Sequence, residues 1–371
     1  MSRSAPTIPR SGIRGSVILT FLVVGALVVP GAGAASRNEV TLATRNLYFG
    51  TDLGPVIAAP TQTDFFLRVA AALEASRATD FRGRAAAWAA EIDATRPDLI
   101  GLQEAVLWRT QTPADFSPIP NAETVEADFV ELLLDALRAR GLRYVVVKTQ
   151  TGYDVEAPGL FASGFMDVRL TQREVILARK NGSVKLSNVQ GGQFAARISI
   201  PTVVGTAITL PWAWASVDGT LGGRSFRFIT AHLDPISGEA QRAQAGEMLA
   251  GPANTELPVI WVGDFNSDAE GTAITGVVPA TATYSDVLAG GFRDAWALKQ
   301  PADPGFTCCQ DADLRNPTPS LETRLDLVMV RGLLGVEEAT TVGDEAGDRL
   351  LSGVWPSDHA GVTATLELER D

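Results

Sequence analysis

The sequence predicts a mixed α/β domain, and three observations carry that expectation. Apolar strand-like runs and helical stretches intermix from Val40 onward, with no internal repeat and no low-complexity linker between them. The chain has 371 residues, 46% hydrophobic and 20% charged, enough apolar material for a sizeable core. Acids, amides and both histidines of the chain recur at the ends of its apolar strands.

The first 35 residues are expected to stand outside that domain. Arg3, Arg10 and Arg14 make a basic start, residues 16–30 are an apolar run short for a membrane span, and Ala32 and Ala34 give an Ala-x-Ala pattern. This reads as a secretory signal peptide (1–35), cut near Ala34 or Ala35, and it places the protein outside the cell; the alternative is a retained membrane anchor. Removing three arginines and no acids takes the net charge from −12 to −15. Residues 36–371 are expected to form a single domain.

In order along the chain, "VTLATRN" alternates as a strand, with Val40, Leu42, Thr44 and Asn46 on one face. Residues 64–95 are alanine-rich and read as one or two helices interrupted around "RATDFRG". "RPDLIGLQE" is a short buried strand ending at Glu104. Residues 124–140 read as an amphipathic helix, with Phe129, Leu132, Leu133, Ala136 and Leu137 at helical spacing and Gly141 as its stop. Strands follow at "RYVVVKT" and "REVILAR", then a hairpin over "WAWASVDGTLGGRSFRFITAHLD". "EAQRAQAGEMLA" is helical, and "PVIWVGDF", "RLDLVMVRG" and "AGVTATLELE" are strands. Two long loops, residues 111–123 and 300–320, are of a length that compact domains usually reserve for function.

The stretch "PVIWVGDFNSDAE" poses the functional question. Side chains two apart on an extended chain point the same way, so Asp264 and Asn266 face one site. An Asx turn leaving a strand would leave the same pattern. Asn46, Glu104, and His232 with Asp234 also stand at C-terminal strand ends, while Asp326 opens a strand and Asp358 and His359 precede the last one. Converging carboxylates are costly to bury unpartnered, and a divalent cation with an anionic substrate relieves that cost. An oxygen-rich set with two imidazoles and no cysteine pair of metal-ligand spacing suits Mg2+, Mn2+ or Ca2+ better than structural zinc.

The ordered set "TRNLYFG", "PDLIGLQE", "TAHLD", "VGDFNS", "RLDLVMV" and "SDHAGV" resembles the endonuclease/exonuclease/phosphatase superfamily over about residues 40–368. That group includes deoxyribonucleases, abasic-site endonucleases, neutral sphingomyelinases and inositol polyphosphate 5-phosphatases. The resemblance implies a four-layered α/β sandwich of two mostly antiparallel sheets with helices outside. It implies Glu104 as the main metal ligand, with Asn46 and Asp358 beside it. Asp264 is implied to orient or deprotonate the attacking water, or to protonate the leaving oxygen. Asn266, His232 and Asn46 are implied to bind the phosphate, His359 to stand near it, and Asp326 to hydrogen-bond His359.

The resemblance therefore leads us to expect an Mg2+-dependent phosphodiesterase, acting on a phospholipid headgroup or extracellular nucleic acid. A phosphomonoesterase or a non-catalytic binding protein on the same fold are the alternatives. No stable protein partner is implied, though a transient membrane-surface contact by Trp212 and Trp214 competes with their packing in the core. The acidic chain leans away from DNA, and Arg315, Arg324 and Arg331 lean towards it if they are exposed. "TQREVILAR" departs from the Gly-Asn of many relatives, so Arg173 and Glu174 are left out of the expected site. "TRLDLV" replaces the 5-phosphatase Trp-Cys-Asp-Arg motif. The adjacent Cys308 and Cys309 are expected either as free thiols or as a vicinal bridge, their Cα atoms lying only ~3.8 Å apart across a trans peptide.

Overall fold

The computed structural model describes residues 38–205, 207–271 and 281–369; the expected signal peptide lies outside them. The chain opens with β1 (Glu39–Asn46), α1 (Gly54–Ile57), α2 (Gln62–Ala78) and α3 (Phe81–Thr95). It continues through β2 (Leu99–Gln103), β3 (Leu107–Gln111), β4 (Thr124–Asp128), α4 (Phe129–Ala139), β5 (Tyr144–Phe161) and β6 (Gly164–Arg179). Next come β7 (Lys185–Gln193), β8 (Ile198–Pro201), β9 (Ala207–Leu210), β10 (Ala213–Leu221) and β11 (Arg224–His232). The last third holds α5 (Gly238–Ala250), β12 (Val259–Asp264), α6 (Thr283–Ala289), β13 (Arg293–Asp294), α7 (Ala295–Lys299), β14 (Asp326–Arg331), β15 (Leu334–Val342) and β16 (Gly361–Leu368).

Short polar side chains start the longer helices. Thr61, Asp80, Asp128 and Ser237 each accept a hydrogen bond from a first-turn N–H of α2, α3, α4 and α5, satisfying donors that have no partner within the helix. The interruption expected around "RATDFRG" falls at Thr79 and Asp80, between α2 and α3. The expected helix over 124–140 is half right. Thr124–Asp128 is a strand paired with β3, and the helix begins only after the Asp128 cap. β5 and β6 extend well beyond "RYVVVKT" and "REVILAR" into one long hairpin.

Among the described residues, one sheet runs β15-β16-β1-β2-β6-β3-β4 with β5 also on β6, and the other runs β13-β14-β12-β11-β10-β7. β8 and β9 form a separate two-stranded ribbon. Only β1–β2 and β11–β12 pair in parallel; the other pairs are antiparallel.

Strand alternation then sorts the side chains into layers. Val40, Leu42, Leu99 and Ile176 of the first sheet pack against Ala215, Phe226, Phe228, Ile260, Val262, Val328 and Val330 of the second. Phe226 and Phe228 are fully buried there, each contributing roughly 2–3 kcal/mol through burial. The residues between them in sequence face outward. Ala43, Ile100 and Leu102 meet Trp88, Ile92 and Leu133 of α3 and α4, and Trp261 and Met329 share a cluster with Met248 and Val287 of α5 and α6. The result is the helix–sheet–sheet–helix sandwich that the sequence led us to expect.

Two glycines set how closely this packs. A Cβ on Gly101 would lie 2.6 Å from Thr230 Oγ1 and 2.7 Å from Val262 Cγ2, across the gap between the sheets. A Cβ on Gly263, whose φ is +144°, would lie 1.9 Å from the Ala231 carbonyl oxygen on the parallel neighbour strand. Backbone cannot swing away as a side-chain tip can. Gly263→Ala is expected to destabilise the protein by about 3 kcal/mol or more in urea unfolding; a loss below ~1 kcal/mol would contradict this packing.

Candidate active site

The alternation that fills the inter-sheet core also delivers the polar residues to its rim. Phe226, Phe228, Thr230 and His232 share one face of β11; Ile260, Val262 and Asp264 share one face of β12; Asp326, Val328 and Val330 share one face of β14. His232, Asp264 and Asp326 are direct cross-strand partners, His232 opposite Asp264 and Asp264 opposite Asp326. On the facing sheet Asn46 ends β1 opposite Gln103 of β2.

Hydrogen bonds join the two sheets at this edge. Asn46 Nδ2 donates to Glu104 Oε1 at 3.2 Å on its own side and to Asp264 Oδ2 at 3.0 Å across the gap. One layer deeper, Thr44 Oγ1 donates to Gln103 Oε1, and Gln103 Nε2 donates to Thr230 Oγ1. Glu104 and Asn266 both hold left-handed backbone, φ 51° and 48°, a conformation that non-glycine residues keep only where their surroundings enforce it. In Glu104 the carboxylate gains from it, since Oε2 accepts the Phe49 N–H at 3.0 Å. In Asn266, Nδ2 donates to the Leu233 carbonyl and the backbone N–H donates to Asp264 Oδ1 at 2.9 Å.

The segment before β16 brings the other histidine. His359 Nδ1 lies 2.7 Å from Asp326 Oδ2, and Nε2 lies 3.8 Å from Asp264 Oδ2. Ser357 Oγ donates to the Asn46 carbonyl at 2.8 Å and accepts from the His359 N–H. Arg45, paired with Glu91, donates to the His359 carbonyl. Beneath them Arg84 is fully buried, with its guanidinium donating to the carbonyls of Leu47, Tyr48 and Pro356. One cation thus ties the segment after Asn46 to the segment before Asp358 and His359.

The electrostatics follow from burial among acids. Burial, and then the neighbouring Asp358, push Glu104 up to about 8, against the pull of His359, the Phe49 N–H and Asn46. Asp358 is also raised, by burial and by Asp264 and Asp326, with His359 and Arg84 opposing. Burial by itself would lower His359, but Asp326, Asp358 and Asp264 carry it well above the usual imidazole range. His232 goes the other way. Burial pushes it down to about 4, with Asp264 only partly opposing, which favours a neutral ring at pH 7, whereas the acids around His359 favour its charged form. Burial also lowers the Arg84 guanidinium, to about 10.

All eight residues singled out from the sequence (Asn46, Glu104, His232, Asp264, Asn266, Asp326, Asp358 and His359) lie at this edge. Asp234 belongs to a turn instead, its Oδ1 accepting from the Ile236 and Ser237 N–H groups. Glu174 was missed. It is fully buried, with Oε1 3.9 Å from His232 Nδ1, and neither Glu174 Oε2 nor His232 Nδ1 has a hydrogen-bond partner among the described residues. Burial, followed by Glu104 and Asp264, raises it well above the carboxylate range. An acid two residues before Ile176, on the core-facing side of its strand, was the signal in the sequence. Trp212 is buried and its ring centroid lies 4.2 Å from that of His232, so it packs at the site. The three loop arginines do not form one exposed group: Arg315 is exposed, Arg324 is buried against Asp294 and Glu270, and Arg331 lies over the Phe292 ring. Cys308 and Cys309 form a vicinal disulfide.

An oxygen-binding cation fits this donor set. Asp264, Asp326 and His359 present ligand atoms within 4.8 Å of one another, and among the described residues the buried Asp326 Oδ1 has no hydrogen-bond partner. Asp358 raises the proton affinity of Glu104, and Asp264 and Asp326 raise that of Asp358, the expected sign where acids crowd together without a cation.

The family model described as the Endonuclease/Exonuclease/phosphatase family matches residues 46–359, from one residue of this edge to another. Similar solved structures include a family protein from Bacteroides thetaiotaomicron, 17% identical over 89% of this chain and 95% of that one, with a TM-score of 0.53. A mannosyl-6-phosphatase from Bacteroides thetaiotaomicron is 18% identical over 88% and 99%, with a TM-score of 0.52. A family protein from Leptotrichia buccalis is 16% identical over 88% and 99%, with a TM-score of 0.51. At these identities the likeness is one of fold. No curated protein matches the chain.

The depressed His232 has a consequence for stability. A group whose pKa is lower folded than unfolded contributes stability above its unfolded value, about 6.5, and that contribution is lost as pH falls towards the folded value, about 4. At ~1.4 kcal/mol per tenfold the loss is roughly 3 kcal/mol. Denaturant titrations at pH 7 and pH 4 are expected to show a smaller drop for His232→Gln than for the unchanged protein. Equal drops would mean that His232 is not buried as a neutral ring.

Proposed function

The chain belongs to the endonuclease/exonuclease/phosphatase family, whose members are typically phosphoesterases, and on that premise we propose that it is an exported, Mg2+-dependent phosphodiester hydrolase. The observation that carries the reading is the approach of two imidazoles to one buried carboxylate oxygen. Asp264 Oδ2 stands 3.6 Å from His232 Nε2 and 3.8 Å from His359 Nε2.

Glu104, Asp358 and Asn46 would hold the cation, which when bound neutralises phosphate charge. Asp264 takes the proton of the attacking water, with its carboxylate aimed by Asn46 and by the Asn266 N–H. His359, its Nδ1 held by Asp326, presents Nε2–H to an oxygen that gains negative charge. Neutral His232 donates from one ring nitrogen without adding charge. Asn266 Nδ2 has a second hydrogen for a phosphate oxygen besides the one given to Leu233.

Between substrate classes, the acidic chain and the burial of Arg324 weigh against a polyanion such as DNA and favour a phospholipid headgroup. The Bacteroides mannosyl-6-phosphatase, alike in fold alone, keeps a phosphomonoester as the second reading. Export rests on the basic and apolar start of the sequence.

The test uses protein beginning at residue 36, assayed with Mg2+ and then with EDTA. Phosphocholine release from sphingomyelin vesicles, plasmid nicking and hydrolysis of a phosphomonoester are run side by side. Chelator-sensitive diester turnover is expected; turnover of the monoester alone would move the protein to the second reading. Mg2+ binding with no turnover of any phosphoester would make it a binding protein on this fold. His359→Ala is expected to lower kcat about 10²–10⁴-fold, and a loss under tenfold would make His359 structural. Glu104→Gln is expected to raise the Mg2+ requirement by at least the ~10–100-fold that loss of an outer-shell metal partner brings. An unchanged Mg2+ dependence would remove it from the ligand set.

A further inference from the structure

The vicinal cysteines sit where the two halves of the histidine–carboxylate pair are braced. The segment from Thr307 to Gln310 threads between the chain leading into Asp326 and the chain carrying His359. On one side, Thr307 and Cys308 N–H donate to the Thr323 carbonyl, Glu322 and Thr323 N–H donate to the Cys308 carbonyl, and Leu325 and Asp326 N–H donate to Thr307 Oγ1. On the other, Ala360 N–H donates to the Thr307 carbonyl at 2.7 Å and Gln310 N–H to the Asp358 carbonyl at 2.8 Å. Cys308 is bridged antiparallel to Thr323 and to His359. The two sulfur atoms and a ring nitrogen of His359 all lie within 4.8 Å of one another.

We propose that Cys308, Cys309 and His359, once the disulfide is reduced, form a binding site for a thiophilic cation such as Zn2+ or Cd2+. Two thiolates and an imidazole are the soft donor set that selects such ions, unlike the oxygen donors of Glu104, Asn46 and Asp358. The backbone bonds on both sides of the pair do not involve sulfur, so they hold the ligands together after the S–S bond is gone. Cys308 is buried and Cys309 half-buried, which gives the ion an approach from solvent.

The chemistry balances with a dithiol as reductant. Two electrons pass from the dithiol into the Cys308–Cys309 bond, the dithiol closes to its own disulfide, and its two protons end on the freed thiols. Binding of the cation releases those protons to water. An ion on His359 draws the imidazole away from Asp326 or Asp264, so occupancy is expected to stop turnover. That consequence rests on the function proposed above; the binding does not.

The experiment reduces the protein from residue 36 with a dithiol, removes the reductant anaerobically and titrates Cd2+. Binding is followed by thiolate-to-cadmium charge-transfer absorption, which is silent for ions on carboxylates. One Cd2+ per chain is expected in the reduced protein and none in the disulfide form. Cys308→Ser with Cys309→Ser is expected to abolish the band, and His359→Gln to weaken Cd2+ at least tenfold, with folding of each checked by circular dichroism. If the serine variant fails to fold, the disulfide form of the unchanged protein serves as its control. No band on reduction, equal binding by the disulfide form, or unchanged affinity in a folded His359→Gln protein would overturn the proposal.

Discussion

The crowding of carboxyl groups at the dry edge of the inter-sheet core is the constraint on which the remainder of this structure turns. Glu104, Glu174, Asp264 and Asp326 are buried within one small region, with Asp358 half-buried beside them. Each would prefer water. The fold answers with directed partners: an amide spanning the gap from Asn46, backbone N–H groups on Glu104 and Asp264, and the His359 ring on Asp326. What is left over is stored as raised proton affinity on Glu104, Glu174 and Asp358, which a cation and an anionic ligand would discharge.

The remaining features read as supports for that edge. Arg84 is an unusual group to bury, and its solvation is replaced by three carbonyls, the Thr79 hydroxyl and the faces of Tyr48, Trp88 and Phe129. Its yield is position: the segments on either side of the site cannot drift apart without stranding a guanidinium. Ser357 and Arg45 do the same at shorter range, through the Asn46 and His359 carbonyls. Gly101 lets the two sheets approach closely enough for Asn46 to reach Asp264, and Gly263 lets β12 pass the Ala231 carbonyl of β11.

Much of this was legible in the sequence because the signals were local and periodic. Period-2 alternation in "VTLATRN", "RFITAH" and "PVIWVGD" showed which side chains share a face, and the ordered motifs pointed to the residues that gather at the edge. The strand at Thr124–Asp128 was not legible, because its pairing with Leu107–Thr110 is a tertiary fact that overrides a helical pattern. Glu174 falls outside the expected site because "TQREVILAR" departs from the Gly-Asn of many relatives, although its place two residues before Ile176 puts it on the core-facing side of β6. Arg324 looked like a surface charge because its partners Asp294 and Glu270 are distant in sequence. The bridge between Cys308 and Cys309 could not be chosen from adjacency alone.

The central claim is that the edge binds a divalent cation on Glu104 and a phosphate oxygen near His359. The most direct measurement is anomalous diffraction from crystals grown with Mn2+ and an orthovanadate or phosphate ion. The account predicts a manganese peak about 2.1 Å from a Glu104 carboxylate oxygen, with an oxygen of the anion within hydrogen-bond reach of His359 Nε2. A manganese peak elsewhere on the protein with this edge empty, or an anion that avoids both histidines, would contradict it.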